Sequence, residues 1–198
     1  MGLDLEYLPG QTPIDEDDKQ GLLMPTISTR RELDEFEQLN IEQAVQWTLS
    51  RRFRQEDILT ERFVREVHKR MFGNVWAWAG EFRKTDSNIG GDKLQIGVEL
   101  KKLLDDTGYW ITNDVHSLDD IALRFKHRIV SIHCFPNGNG RHSRLMADIV
   151  IEQVFRGKHF SWGSGDLCAQ GNPRDRYLQA VRAADHGDYT LLSEFARS

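Results

Sequence analysis

Apolar residues recur at three- and four-residue spacing through most of this sequence, the period of one face of an α-helix. Leu33, Phe36, Ile41, Ala44 and Thr48 mark a first stripe, and Ile58, Phe63, Val67 and Met71 a second, with Gly73 placed to stop that helix. Leu100, Leu103, Leu104, Thr107 and Ile111 form a third. Ile121, Phe125, Ile129 and Ile132 form a fourth, which delivers the chain to His133. A fifth begins after Gly140 with Leu145, Met146, Ile149 and Val150. Asn172-Pro173 reads as an N-cap followed by a first-turn proline. It opens a sixth helix through Tyr177, Ala180, Val181 and Ala184 that ends near Gly187.

Two stretches depart from this period. Residues 1–27 hold three of the five prolines and the acidic run Asp15-Glu-Asp-Asp18, which predicts an N-terminal arm packed only in places. The remaining residues, 28–198, then form one domain with a helix at its start. Between Phe82 and Ile96 the helical pattern lapses, and Gly90-Gly91 separates Thr85 to Ile89 from Asp92 to Ile96. That arrangement predicts a small β-hairpin, so the expected fold class is mainly α with one hairpin.

Composition narrows the function classes. At 198 residues the chain is long enough for one sizeable core, and nothing in it approaches the roughly 20 apolar residues of a membrane span. The first residues lack a basic segment followed by an apolar run, which predicts a cytoplasmic protein with no membrane partner. Two cysteines, Cys134 and Cys168, are too few for a disulfide framework. A net charge of -5 argues against direct binding to a nucleic-acid backbone, while leaving room for a local basic pocket.

Gly138-Asn-Gly140 lies between the fourth and fifth stripes, at the expected N-terminus of a helix. Its glycines permit a turn whose successive N–H groups point one way, and the positive end of the helix dipole stands behind them. Such a nest suits phosphate. Arg141 and Arg144 follow at i and i+3, on one face of the first turn, and two guanidinium forks beside an anion nest suit a polyphosphate. His133 ends the preceding helix, where an imidazole of ordinary pKa near 6.5 suits a general base. Phe135 is assigned to the core as the anchor of the loop. His127 and His142 lack metal-ligand spacing with His133 and are read as a packed helix residue and a first-turn surface residue.

These residues resemble a known family. His133-x-Phe135-x-x-Gly138-Asn-Gly-Arg141-x-x-Arg144 is similar to the Fic motif, His-Pro-Phe-x-Asp/Glu-Gly-Asn-Gly-Arg-x-x-Arg, and Trp76-Ala-Trp78-Ala-Gly-Glu-Phe-Arg83 resembles the Trp-Ala-Gly segment before the family's hairpin flap. More narrowly, Thr12-Pro-Ile-Asp15, Asn40-Ile41, Asn88-Ile-Gly90 and Ala183-Ala-Asp185 resemble the Fic subgroup called mobile mystery protein B. The resemblance implies a mainly α Fic-type core with a β-hairpin flap, and transfer of AMP from ATP to a Ser, Thr or Tyr hydroxyl of a target protein. It makes His133 the base, with Gly138, Asn139 and Gly140 on the inner phosphates and Arg141 and Arg144 on the outer ones. The flap, with Ser87, Asn88, Ile89 and Gly90, would hold the target as an added strand.

The sequence departs from the motif twice. Cys134 replaces proline and reads as a small buried residue. Asn137 stands where most of the family has the Asp or Glu that holds Mg²⁺, and an amide oxygen ligates that ion without a carboxylate's charge. The family's inhibitory pattern, Ser/Thr-x-x-x-Glu-Gly/Asn, is matched only at its first and fifth positions, by Thr12 and Glu16, Ser28 and Glu32, and Thr190 and Glu194. Two other functions stay open at this point. One is a nucleotide-binding regulatory module, weak in catalysis and working with a helix-turn-helix partner or inhibitor; the other is a Fic variant that moves a different phosphate-containing group.

Overall fold

The computed structural model describes residues 13–87, 89–164 and 172–198. Helix α1 (Glu16–Lys19) lies in the N-terminal arm and α2 (Arg30–Leu49) follows it. Thr29 starts α2 with a capping box: its hydroxyl accepts the Glu32 amide at 3.3 Å, and the Glu32 carboxylate accepts the amides of Ser28 and Thr29 at 3.0 Å. The Ser28-to-Glu32 frame is thus used to begin a helix. The second apolar stripe is split into α3 (Gln55–Ile58) and α4 (Glu61–Phe72), because the Thr60 hydroxyl caps the Phe63 amide at 3.2 Å and restarts the helix.

The rest of the fold is α5 (Ile96–Thr112), α6 (Leu118–Ile132), α7 (Asn139–Ile149), α8 (Asn172–Asp185) and α9 (Thr190–Arg197), with a π-type turn (Val150–Val154) extending α7. Helix α6 is central, packed against α5, α7 and α9, while α2 lies on α4 and α8 on α9. Trp76, Phe72, Phe125, Phe135, Leu100 and Leu103 are fully buried between them, and burial of each such side chain contributes about 1.5–3 kcal/mol. The arm joins this core at Ile14 and Ile27, both buried. Its backbone pairs beside Trp76, with Leu23 N–H on Val75 O and Ala77 N–H on Gly21 O, each at 2.8 Å. No described helix is long and apolar enough to cross a membrane.

The expected β-hairpin does not form. Among the described residues there is no β-strand, only an isolated antiparallel bridge between Leu22 and Trp76. The carbonyls that a hairpin ladder would use are taken otherwise: the Arg83 guanidinium donates to Thr85 O at 2.9 Å and to Gly91 O, and the Ser87 hydroxyl donates to Ile89 O. Asp92 then caps the Leu94 amide at 2.8 Å and turns the chain through a 3₁₀ turn (Lys93–Gln95) into α5. The stretch from Asp92 to Ile96 is therefore a helix start and not a second strand.

Candidate active site

Helix α6 ends at His133, which has left-handed backbone angles, φ +56° and ψ +60°. A non-glycine residue adopts these angles at a cost of about 1–3 kcal/mol, so the surroundings must hold it there. Arg83 does much of that holding. Its Nε donates to His133 O at 2.7 Å, and its own amide donates to Cys134 O at 2.9 Å. The same guanidinium reaches Thr85 O and Gly91 O, so one buried arginine joins the 85–91 segment to the end of α6.

The loop that follows is locked from within. The Asn139 side chain accepts the Phe135 amide at 3.0 Å and donates to Phe135 O at 2.8 Å, closing a turn across the loop. Phe135 and Cys134 are buried as the sequence suggested, and the His68 ring stacks on Phe135 with centroids 3.7 Å apart. His68 Nδ1 accepts the Gly80 amide at 3.0 Å, which places its proton on Nε2, the atom that lies 3.0 Å from Asn137 O. Gly138 then opens α7 at φ +78°, where a Cβ would lie 2.5 Å from the Phe72 ring, so only glycine lets the helix start here.

A cavity of about 260 Å³ lies in front of this N-terminus. His133, Asn137, Gly138, Asn139, Gly140, Arg141 and Arg144 all line it, as does Ile89. Gly90 lies so close that a Cβ on it would be 2.6 Å from the His133 Cβ. Ser87 instead lines a neighbouring cavity with Asp15, Asp18 and Pro136, and Asn88 lies outside the described residues. Arg141 is engaged inside the protein as well: its guanidinium pairs with Glu37 of α2 at 2.7 Å and lies over the Phe72 ring. Arg144 reaches the Tyr177 phenol of α8. His142 is a buried residue and not a surface one, its Nε2 3.0 Å from Val64 O.

Burial sets the electrostatics. It lowers the His133 pKa to about 4, with the Arg83 charge adding to the shift and a hydrogen bond to the Val130 backbone opposing it. His133 is therefore neutral over the whole physiological range. Burial also lowers His142 to about 4 and raises the Cys134 thiol to about 12, which makes that thiol unreactive.

Sequence reasoning missed Arg83, His68 and Glu37, and the cavity wall made by α8. Glu37 could have been found from spacing, because Leu33, Glu37, Asn40, Ala44 and Thr48 form the buried face of α2. A carboxylate at the centre of such a face needs a cationic partner. His68 stands on the buried face of α4, four residues from both Val64 and Phe72, and could have been found by that spacing, whereas no periodic signal marks Arg83.

Residues 58–151 match the model of the Fic/DOC family. Over that stretch the chain is similar to the Fic/DOC family. Its relatives include the proteins named protein adenylyltransferase Fic in Drosophila grimshawi, 27% identical over 142 residues, and in Aedes aegypti, 24% identical over 171 residues. These alignments cover 69% and 83% of this chain but only 28% and 32% of the relatives, so the chain spans about a third of their length. Among solved structures, the Fic fold is shared with BepC of Bartonella tribocorum with bound AMPPNP, at TM-score 0.68 and 16% identity, covering 91% of this chain and 96% of that one. Fic-1 of C. elegans matches at TM-score 0.61 and 19% identity, covering 90% of this chain and 51% of that one.

The Fic motif usually carries a Mg²⁺-binding carboxylate at the position of Asn137. Here the Asn137 Oδ1 accepts the Gly138 amide at 2.7 Å and is turned toward its own helix. Among the described residues, no group of three His, Cys, Asp or Glu side chains could hold a metal ion. This donor set does not fit a Mg²⁺ held by the protein alone.

Proposed function

We propose that this Fic domain transfers AMP from ATP to a hydroxyl of a target protein. The observation that carries the proposal is the placing of a neutral, buried His133 and the open N-terminus of α7 on one cavity. A target Ser, Thr or Tyr hydroxyl entering beside Ile89 and Gly90 would give its proton to the His133 imidazole as its oxygen bonds to the α-phosphorus. The bond from that phosphorus to the bridging oxygen of the β-phosphate breaks, and pyrophosphate leaves. Backbone N–H groups at Asn139 and Gly140, the α7 dipole, Arg141 and Arg144 offset the charge that moves onto the phosphate oxygens.

A base of pKa about 4 is weak in the empty site, but a polyphosphate beside it favours the imidazolium and raises that value as substrate binds. Mg²⁺, bound by the substrate's phosphates and not by a carboxylate of this chain, would supply further charge neutralisation there. A cytoplasmic setting supplies the nucleotide. The names of the relatives and the AMPPNP of the BepC structure support ATP as donor. The test is intact mass of candidate targets, and of the chain itself, after incubation with Mg-ATP. An added AMP that disappears in His133→Ala supports the proposal; no adduct on any protein of a broad panel overturns it.

A further inference from the structure

A second cavity, of about 310 Å³, adjoins the catalytic one. Ser131 of α6 lines both, and the segment that brings Ile89 to the catalytic cavity brings Gly91 to this one. Its wall is mostly apolar and includes Ile96 of α5 and Ile132 of α6. Gln95 and Glu99 form part of the rim, and beside them Leu94 and Val98 are 79% and 50% exposed. Apolar surface left open next to a reaction site marks a place where another molecule is met.

The polar groups of this cavity are already engaged. Asp92 accepts the Leu94 amide at 2.8 Å, Glu99 meets Lys102 at 2.7 Å, and Arg128 meets Asp106 at 2.5 Å. His127 Nε2 lies 2.8 Å from Asp185, and the Ser131 hydroxyl donates to His127 O at 2.8 Å. A charged group entering here would leave water and find these partners taken, whereas an apolar one gains by leaving water. The main chain alongside is also engaged. The carbonyls of Thr85 and Gly91 accept from Arg83, and that of Ile89 accepts from Ser87. A target segment laid along residues 85–91 thus finds three ladder acceptors in use, which leaves its register to side-chain pockets.

We propose that this cavity is a specificity pocket for the target, taking a large apolar side chain, Leu, Met or Phe, that stands near the hydroxyl receiving AMP. The spacing is about two or three residues, because Ile89 and Asp92 are separated by roughly 10 Å of extended chain. The target's role as acceptor rests on the AMP-transfer proposal, but the preference for an apolar side chain needs no transfer step. Burial of one such side chain contributes about tenfold or more in affinity.

The experiment offers the full chain a library of short peptides with a central Ser, Thr or Tyr and randomised flanks. Mass spectrometry reads which peptides the immobilised chain retains without nucleotide, and which gain AMP with Mg-ATP. Wild type is compared with Gly91→Leu and Gln95→Lys, with thermal melting as a folding control. Gly91 is outside the left-handed region, and a Cβ on it would meet no atom within 4 Å, so leucine there takes up room in the pocket without straining the chain.

The expected result is enrichment of Leu, Met and Phe by about tenfold at one position two or three residues from the hydroxyl. Gly91→Leu should abolish that enrichment, and Gln95→Lys, which sets an ammonium at the rim, should move the preference toward Asp and Glu. Gln95→Lys stays informative if Gly91→Leu unfolds. Retention of no peptide, a wild-type preference for charged residues, or an enrichment unchanged in both variants overturns the pocket. Apolar enrichment that persists while no peptide or protein gains AMP overturns the transfer reaction and leaves the pocket standing.

Discussion

Arg83 holds His133 by its main chain, with Nε 2.7 Å from the His133 carbonyl oxygen. The contact matters for two reasons. It fixes the left-handed residue that aims the imidazole, and it brings a guanidinium charge close enough to lower that imidazole's pKa. Arg83→Gln keeps some hydrogen-bonding capacity and removes the charge. The expected outcome is a fall in kcat of about 100-fold, the scale on which misplacing a catalytic group by 1 Å acts. The acid limb of the pH profile of kcat/KM should also move upward from its wild-type position near 4, toward 6.5. A limb unmoved in Arg83→Gln would assign the low pKa to burial alone.

Glu37 and Arg141 make a different kind of pair. Glu37 is buried, accepts the Trp76 indole N–H at 2.6 Å through Oε1 and meets Arg141 through Oε2. Removing one partner of a buried pair leaves the other uncompensated, typically costing 3–5 kcal/mol. Glu37→Gln keeps the indole's acceptor and removes the carboxylate that meets Arg141, so it should lower stability to urea by up to about that amount. The double variant Glu37→Gln with Arg141→Gln should lose less than Glu37→Gln alone. Equal losses would mean that the ion pair contributes nothing measurable.

The helices and the glycine turn that opens α7 were legible in the sequence because each is a local matter. Period, glycine placement and capping residues act within a few positions, and they placed α2, α5, α6, α7 and α8. The hairpin was misread for the opposite reason. Its fate depended on Arg83 taking the carbonyls of Thr85 and Gly91, a tertiary choice that residues 85–96 do not encode by themselves. The same holds for the site: His133 and Gly138 announce themselves, whereas the α8 wall is set by contacts distant in sequence, Tyr177 with Lys126 and Arg144 and Asp185 with His127.

Four buried histidines give the fold a pH dependence of definite sign. His133 and His142 are lowered to about 4, His68 well below its ordinary value and His127 below it, in each case chiefly by burial. As pH falls through 6.5 the unfolded chain takes up protons that the folded chain refuses, so each histidine subtracts about 1.4 kcal/mol per pH unit down to its folded pKa. Asp148 acts oppositely. Burial raises it to about 6, so between that pH and about 3.9 the folded state holds a proton that the unfolded state lacks. Its gain offsets one histidine over that window. Unfolding free energy from urea titrations should therefore decline steadily from pH 6 to pH 4.5, and His142→Gln should flatten the decline by about one histidine's share. A flat wild-type curve would show that these rings are protonated in the fold.

Asn137→Asp tests how the site manages without its own metal carboxylate. The new carboxylate would keep the acceptor for the Gly138 amide and sit at the N-terminus of α7, where a negative charge is favoured by about 0.3–1 kcal/mol, so the fold should tolerate it. It would also add a full charge beside the phosphates that carry Mg²⁺. Hard cations bind more tightly as ligand charge rises, and the Mg²⁺ concentration giving half-maximal AMP transfer should fall by about tenfold, with a smaller change at saturating metal. Measuring adduct formation across a Mg²⁺ titration separates the cases. An unchanged midpoint would place residue 137 out of reach of the ion, and the amide's bond to Gly138 would then be its whole contribution to the site.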